Sequence, residues 1–359
     1  MALVETFCPY QNCGLVAMNI IAQERNNFTA LRLALALLVV LGHSKILSGI
    51  EQPGFPFNLA DAAVDSFFVV SGYLITGSYE RCRGLQAFFI RRIFRLYPMY
   101  MFIVLAQTVI LLTLLPGGPF SEMWQTMRYI AANALMANFV QYDIGGLLSA
   151  MPNPGMNPSL WTLKIEVAFY LVIPFLYVLA RRWGWRILAV IFVGSAMYSA
   201  ALHHLGEDRL ARQLPGQMQF FVAGMALNLY GCRIRLQLWQ CILIVVGFFT
   251  TWTLVHPIPD GIRPLIVAPF VYCVAFALPP AQLRNDLSYS VYLIHGPLIQ
   301  VLILLRRSPD TLFGAACIVI CVIAMAFVTE RVIERPCIAL GHRLSRRTGQ
   351  SASALPKLA

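Results

Sequence analysis

Two ionisable side chains lie within the first long apolar stretch of the chain, where burial in lipid disfavours such groups and makes them functional candidates. Arg32 and His43 are eleven residues apart, close to three helical turns. A helix therefore places them on one face, about 16 Å apart along its axis. That face offers an anion site at one end and proton chemistry at the other. A histidine that is hydrogen-bonded between helices is the structural alternative for His43.

Two carboxylates stand at the starts of later apolar stretches. Asp65 opens the second stretch, where it either orients His43 as the acid of a catalytic triad does or satisfies the free backbone donors of a helix N-terminus. Glu166 follows Trp161, a natural interfacial anchor, and lies at about the depth expected for His43, with Lys164 nearby in sequence. Glu166 is therefore either an ion-pair partner or a ligand for substrate hydroxyls.

Further polar side chains recur at helical spacing. Arg92 and Arg95 are three residues apart and share a helix face. Two guanidinium groups on one face can clamp a phosphate, or they can simply anchor the chain at the cytoplasmic surface. Ser288, Tyr292 and His295 form one polar stripe on a later helix. This stripe either lines a channel or makes hydrogen bonds between helices.

The composition indicates which elements position these groups. Apolar residues make up 58% of the 359-residue chain and charged residues only 12%, against about 25% charged residues in soluble proteins. Apolar runs recur along the whole length, which predicts one membrane domain and no sizeable soluble domain. The net charge of +11 is spread over short arginine clusters between these runs, as in cytoplasmic loops. We therefore expect no nucleic-acid partner.

The cysteines do not indicate a metal or a disulfide framework. There are nine of them, scattered mostly inside apolar segments. Cys317 and Cys321 share a helix face, but no histidine or carboxylate stands near them in sequence to complete a metal site. We therefore expect no metal.

The apolar runs predict an all-α, polytopic membrane helical bundle of about ten transmembrane helices, each near the ~20 residues that a bilayer requires. A shorter stretch at 126–140 is expected to be interfacial or re-entrant. With ten spans, both termini and the arginine clusters lie in the cytoplasm. The predicted spans are 30–49, 59–79, 96–115, 161–180, 187–203, 214–230, 239–255, 262–278, 287–304 and 311–331.

The ends of the chain are expected to lie outside this bundle. Residues 1–24 form an N-terminal extension with neither a signal-peptide nor a spanning pattern. Within it, Met18 is an alternative translation start. Residues 25–336 form the membrane domain, and residues 337–359 form a basic cytoplasmic tail.

Taken in order, five segments make the chain resemble the type-3 acyltransferase family of membrane proteins. The resemblance covers nearly the whole chain, from about 25 to 336. Each segment is weak alone, and their order and their predicted membrane sides make the set specific. The segments are RNNF at 25–28 with Leu31, Arg32 and then His43, DSFFVVSGYLI at 65–75, FIRRIFRLYP at 89–98, LWTLKIE at 160–166 and SYSVYLIH at 288–295.

This resemblance implies an acyltransferase that takes an acyl group, most simply acetyl and alternatively succinyl, from cytoplasmic acyl-CoA and transfers it to a hydroxyl of a glycan at the outer face. It implies that His43 is the catalytic histidine and that Arg32, Arg92 and Arg95 bind the acyl-CoA. Asp65 and Glu166 are then candidates to hold His43. The predicted channel-lining residues are Ser71, Trp161, Ser288, Tyr292 and His295. The expected location is a bacterial cytoplasmic (inner) membrane, with membrane lipid as a second partner.

Three other functions compete with this interpretation. A transporter or flippase for a lipid-linked glycan would use the inner charges as a substrate path, although we find no internal repeat of the transporter kind. A sensor or scaffold protein would not require Arg32 and His43 on one buried face. A different class of multi-span acyltransferase, acting on lipids or proteins, is distinguished only by the order of the five segments.

Overall fold

The computed structural model describes residues 26–353, apart from 51–53, 83, 116, 119, 232–235, 256–257, 280, 282, 284 and 308–310, and it describes side chains as far as 347. The predicted extension at 1–24, including Met18, and Arg25 of the first motif lie outside the described residues. The described part is helical and contains no strand, which confirms the predicted all-α class.

Thirteen helices are present in the described part of the chain. A 3₁₀ turn at Phe57–Leu59 leads into α2, a π-helical turn at Cys273–Ala277 extends α10, and another at Glu330–Glu334 joins α12 to α13. The helices are α1 (Phe28–Ile46), α2 (Ala60–Glu80), α3 (Leu85–Leu114), α4 (Met123–Ala134), α5 (Leu160–Trp183), α6 (Trp185–His204), α7 (Asp208–Ala211), α8 (Leu214–Tyr230), α9 (Leu238–Leu254), α10 (Arg263–Tyr272), α11 (Ser288–Leu304), α12 (Leu312–Thr329) and α13 (Arg335–Ser353).

Six helical segments among the described residues are long and apolar enough to cross a bilayer, which makes this a multi-pass membrane protein. They are α1, α2 with its 3₁₀ turn, α3, α5, α6 and the continuous segment Leu312–Arg347. The helices α9, α10 with its π-helical turn, and α11 are apolar but shorter. Ten spans with both termini in the cytoplasm therefore stay a prediction. The stretch predicted to stop short of a span forms α4, which has 12 residues.

The helix that carries Arg92 and Arg95 begins earlier than the predicted third span. It starts at Leu85 and runs for 30 residues, so both arginines lie in the body of the helix. Gly84, with φ of 104°, makes the turn before it, and neither glycine nor proline follows until Pro98. The chain therefore has no reason to leave the helix in the basic segment.

Residues of the predicted tail continue the last helix along α3. The side chain of Arg91 donates through Nε to Ser345 Oγ at 2.8 Å. Gly341 lies so close to Phe94 that a methyl group at that position would overlap the Cβ atom of Phe94. The start of α13 therefore packs against the basic part of α3 and helps to hold it.

Reciprocal glycines bring α2 and α8 into close contact in the centre of the bundle. A Cβ atom at Gly72 would overlap the carbonyl oxygen of Phe221, and one at Gly224 would overlap that of Val69. Small residues let two membrane helices approach until their backbones touch, which replaces hydrophobic burial as a source of stability within lipid. This contact fixes the position of α2, which carries Asp61 and Asp65 near its start.

The start of α1 is tied to the segment that follows α10. The buried Asn27 side chain donates through Nδ2 to the carbonyl oxygens of Val274 at 3.2 Å, Leu278 at 3.1 Å and Pro279 at 3.2 Å. Its Oδ1 accepts from the backbone N–H of Ala281 at 2.6 Å. One asparagine thus satisfies backbone groups that the irregular segment leaves without partners, and it fixes the position from which α1 begins.

Candidate active site

Three elements bring an ion-pair cluster together at one end of the bundle. Arg32 on α1 pairs with Asp286 in the loop before α11, and Arg95 on α3 pairs with the same carboxylate, with Nη2 to Oδ2 at 2.9 Å. The Ser288 hydroxyl donates to the other carboxylate oxygen at 2.6 Å. Burial alone would raise the pKa of Asp286, but the two arginines hold it well below its usual range. The carboxylate is therefore ionised and fixes both guanidinium groups.

Arg92 lies beside this cluster without a carboxylate partner among the described residues. Its guanidinium group stands 5.5 Å from the ring centres of both Phe88 and Tyr170, and Nε is buried without a hydrogen bond. The hydroxyl of Tyr170 donates to Glu166, one helical turn earlier on α5. The quadrupoles of the two aromatic rings attract the cation. They do not neutralise it, so its charge is available to an anionic ligand.

A cavity of about 410 Å³ opens among these side chains, and we call it the arginine cavity. Ser71, Ser288 and Tyr292, three of the predicted lining residues, contribute to its wall. Charged side chains from α1, the end of α2, α3, α5 and the loop before α11 also line the cavity. Those charged residues are Arg32, Arg81, Arg92, Arg95, Glu166 and Asp286.

His43 lies in a second polar group further along α1, where it contacts His295 of α11. The two imidazoles are joined by Nδ1 of His43 and Nε2 of His295 at 2.7 Å, and their ring centres are 5.0 Å apart. His295 is fully buried and stands behind His43. It was predicted as a channel-lining residue, and the structure places it against the catalytic candidate instead.

The surroundings of His295 decide where its proton lies. Its Nδ1 is 3.2 Å from the carbonyl oxygen of Val291, an atom that only accepts hydrogen bonds. The proton therefore belongs on Nδ1, and Nε2 accepts, from His43 and from the hydroxyl of Ser159 at 3.2 Å. Neutral His43 then carries its proton on Nδ1 and a lone pair on Nε2. This is the arrangement of a base or nucleophile oriented by a second group.

The loop before α5 and the start of α11 hold this pair in place. Asn157 donates through Nδ2 to the carbonyl oxygen of Leu293 at 2.9 Å, and the hydroxyls of Thr162 and Tyr292 are 2.8 Å apart. Gln300 donates to two carbonyl oxygens of the same loop, at 2.8 Å each. These contacts explain why residues of the LWTLKIE and SYSVYLIH segments, far apart in sequence, belong to one site.

His43 lines a larger cavity of about 1,090 Å³, which we call the histidine cavity. Trp161, a further predicted lining residue, forms part of its wall. Val64 and Tyr292 line both this cavity and the arginine cavity. The two cavities therefore adjoin at these two residues, with arginines lining one cavity and a histidine lining the other.

The triad hypothesis required Asp65 to contact His43, but the structure does not bring these two side chains together. The Asp65 carboxylate instead forms an ion pair with Arg263 of α10, with Oδ2 to Nη2 at 2.6 Å. Phe220 and Trp252 stand at 5.9 and 5.6 Å from the same guanidinium group. The side chain of Asp65 points from α2 towards α8 and α10, so it has a structural partner. Asp61, one turn earlier, is the α2 carboxylate that lines the histidine cavity.

Glu166 was predicted to lie beside His43, and the structure does not place it there. It lines the arginine cavity and accepts a hydrogen bond from Tyr170. Glu166 is six residues beyond Leu160, the first residue of α5, which carries it about 9 Å along the helix axis. That distance separates Glu166 from the loop before α5, whose Ser159 contacts His295, and brings it to the wall of the arginine cavity.

Three participants were missed by the sequence interpretation. Asp286 lies outside the apolar runs and was not considered, although an acidic residue two positions before a helix that begins with serine is a capping signal. Ser159 precedes the predicted span 161–180, and Arg263 lies inside the predicted span 262–278, but neither was given a role. A carboxylate partner for Arg32 and Arg95 could have been expected, because cations within a membrane bundle require a counter-ion.

Comparison with known proteins identifies the family of the chain. A family model described as an acyltransferase domain matches residues 25–331. Nodulation protein 10 of Rhizobium leguminosarum bv. viciae is 29% identical over 315 residues, which are 78% of this chain and 84% of that protein. Exopolysaccharide production protein ExoZ of Rhizobium meliloti is 25% identical over 312 residues, 81% of this chain and 93% of that protein.

A shorter match is to a peptidoglycan-modifying enzyme. Peptidoglycan O-acetyltransferase OatA of Listeria monocytogenes is 31% identical over 150 residues, 38% of this chain and 23% of that protein. No solved structure matches the chain. The match to the family model covers most of the chain and includes all five segments. The protein therefore belongs to the type-3 acyltransferase family, and it is a multi-pass membrane acyltransferase.

Proposed function

We propose that the protein transfers an acetyl group from cytoplasmic acetyl-CoA to a hydroxyl of an envelope glycan at the outer face of the bacterial cytoplasmic membrane. One observation carries the proposal: His43 and the arginines open into two cavities that share a wall at Val64 and Tyr292. The names of two relatives, an exopolysaccharide production protein and a peptidoglycan O-acetyltransferase, support a glycan acceptor.

The donor enters from the arginine side. Guanidinium groups bind phosphate oxygens through paired hydrogen bonds, and Arg92 carries its charge into the arginine cavity without a carboxylate partner among the described residues. Arg32 and Arg95, held by Asp286, complete the phosphate site. The pantetheine arm then extends along the cavity, and its thioester reaches the wall formed by Val64 and Tyr292.

The acceptor meets the thioester from the histidine side. His43 Nε2 takes the proton of the acceptor hydroxyl while the hydroxyl oxygen bonds to the thioester carbonyl carbon. The carbon–sulfur bond breaks, and the imidazolium returns the proton to the coenzyme A thiolate. His295 accepts from His43 Nδ1 throughout and keeps the ring in the required tautomer. A covalent route, in which Nε2 itself first takes the acetyl group, uses the same lone pair.

Coenzyme A release by purified protein in lipid nanodiscs tests the proposal. We expect release from acetyl-CoA by the wild type, loss of release in His43→Ala, and a raised KM for acetyl-CoA in Arg92→Ala. Matched controls are His203→Ala, in a polar cluster outside the arginine cavity, and Arg186→Ala, which is exposed. Both controls should retain activity.

Two outcomes would overturn the proposal. Folded wild-type protein that releases no coenzyme A, across several acyl donors and crude glycan acceptors, would favour a transporter of lipid-linked glycans. Release that persists in His43→Ala would remove the histidine from the chemistry. Rapid-quench labelling with radioactive acetyl-CoA in the absence of acceptor distinguishes the two routes, because only the covalent route leaves label on the protein.

A further inference from the structure

The histidine cavity contains more positive charge than its own side chains neutralise. Lys164 of α5 and two arginines at α7, Arg209 and Arg212, line the cavity, whereas Asp61 is the carboxylate in its described wall. Three cations therefore face one anion when His43 is neutral. Among the described residues, none of these four charged side chains takes part in a salt bridge.

The positions of these cations suit a ligand in the cavity. Both arginines are exposed, so their guanidinium groups are accessible from its lumen. Lys164 stands over the ring of Phe139 at 5.1 Å, and this cation–π contact fixes its ammonium group at the wall. The field of several like charges in a concave site attracts a ligand of the opposite sign.

The rest of the wall has the chemistry of a saccharide site. Carboxamides donate and accept hydrogen bonds as sugar hydroxyls require, and aromatic faces pack against the apolar side of a sugar ring. The carboxamide and aromatic residues of the wall are Gln107, Asn133, Asn138, Asn153, Asn157, Gln213, Tyr129, Phe139, Tyr142, Trp161 and Tyr292.

We propose that the acceptor is an anionic glycan, recognised in the histidine cavity by Lys164, Arg209 and Arg212. This inference rests on the proposed function and names the class of its acceptor. The negative charge is a carboxylate on a sugar or the pyrophosphate of a lipid-linked saccharide, and a guanidinium group binds either through two parallel hydrogen bonds. At about 1,090 Å³, the cavity is at the upper end of the ~300–1,000 Å³ of small-molecule sites. It therefore accommodates a short oligosaccharide.

Binding of a matched pair of sugars tests the inference. The probes are fluorescently labelled trigalacturonate and its methyl ester, which differ in charge and little in shape. They are titrated into full-length protein in nanodiscs of zwitterionic lipid, with empty discs as the blank. We expect the wild type to bind the charged form at least roughly tenfold more tightly, and added salt to reduce this preference.

Single substitutions locate the charge recognition. Arg209→Ala, Arg212→Ala and Lys164→Ala should each weaken binding of the charged sugar by roughly tenfold and leave binding of the ester unchanged. Arg128→Ala is the matched control, because Arg128 is an exposed arginine of α4 outside the described wall of the histidine cavity. Competition by geranyl pyrophosphate, which has no sugar, assigns the charge to a lipid pyrophosphate; its failure to compete assigns it to the sugar.

Coenzyme A release, measured in parallel, separates this inference from the proposed function. Equal binding of the two sugars by folded wild-type protein, or binding of neither, overturns the inference even where coenzyme A release from acetyl-CoA persists. Charge-selective binding without coenzyme A release from any donor supports the anionic-glycan site and overturns the acetyltransferase function. Equal weakening of charged-sugar binding by Arg128→Ala would mean surface attraction and would also overturn the inference.

Discussion

Replacement of His295 by leucine tests the arrangement that makes His43 reactive. In the wild type, His43 Nδ1 donates to His295 Nε2 at 2.7 Å, and this hydrogen bond places the His43 lone pair on Nε2. Leucine removes the acceptor and leaves His43 Nδ1–H beside an apolar group. A buried donor without a partner costs about 1–3 kcal/mol, and the lost hydrogen bond contributes about 0.5–1.5 kcal/mol.

The expected effect follows from these magnitudes. Loss of about 2–3 kcal/mol of transition-state stabilisation lowers kcat by roughly 30- to 150-fold. The KM for acetyl-CoA should remain within about twofold, because the arginine cavity is not touched. His295→Gln is the informative partner, because its carboxamide oxygen can accept from His43 Nδ1. We expect that variant to retain activity within about fivefold of the wild type.

The assay is steady-state coenzyme A release in nanodiscs, with thermal unfolding recorded for each variant. A purely structural role for His295 predicts that both variants lose activity in proportion to their loss of folded protein. The reasoning would be refuted if His295→Gln were as inactive as His295→Leu while both stayed folded. It would also fail if leucine left kcat unchanged.

Three further substitutions test the frame around the site. Asp286→Asn should lower the free energy of unfolding by about 2 kcal/mol and raise the KM for acetyl-CoA. Because the folded protein lowers the pKa of Asp286, the wild type should unfold at a higher temperature than the variant above about pH 3.9. This difference should disappear as the pH falls further. Gly224→Ala should lower the unfolding temperature because its methyl group meets the backbone of α2, whereas Gly247→Ala, which has open space around it, should not. Asp65→Asn should destabilise the fold through its partner Arg263 by about 3 kcal/mol, while activity per folded molecule stays within about twofold; a specific loss of kcat in folded protein would restore a catalytic role to Asp65.

The fold class was readable from sequence because its signal is local. Apolar runs of spanning length need no information about their neighbours, and all ten predicted spans overlap helices. The exact start of α3 was harder to predict from the sequence, because a basic segment can form a loop or the surface of a helix. Its helical state becomes clear once residues of α13, including Ser345, are seen to pack against it.

The site was only partly predictable for the same reason. The spacing of Arg32 and His43 on one helix depends on a constant rise per residue, and the structure places them in two different polar groups along α1. The hydrogen-bond partner of His43, in contrast, could not be predicted from the sequence. Asp65 was a candidate because it opens the second apolar stretch, yet its side chain leaves α2 on the side of α10, where Arg263 binds it.

Sequence by itself therefore determined the membrane class, the helices and the residue types available for acyl transfer. The tertiary structure alone decided which of those residues meet: His43 with His295 from a helix 252 positions later, Arg32 and Arg95 with Asp286, and two cavities on either side of Val64 and Tyr292. The physical reason is that helix formation depends on neighbouring residues along the chain. Pairing of side chains across a bundle depends instead on the rotation and depth of each helix, which packing between distant segments sets.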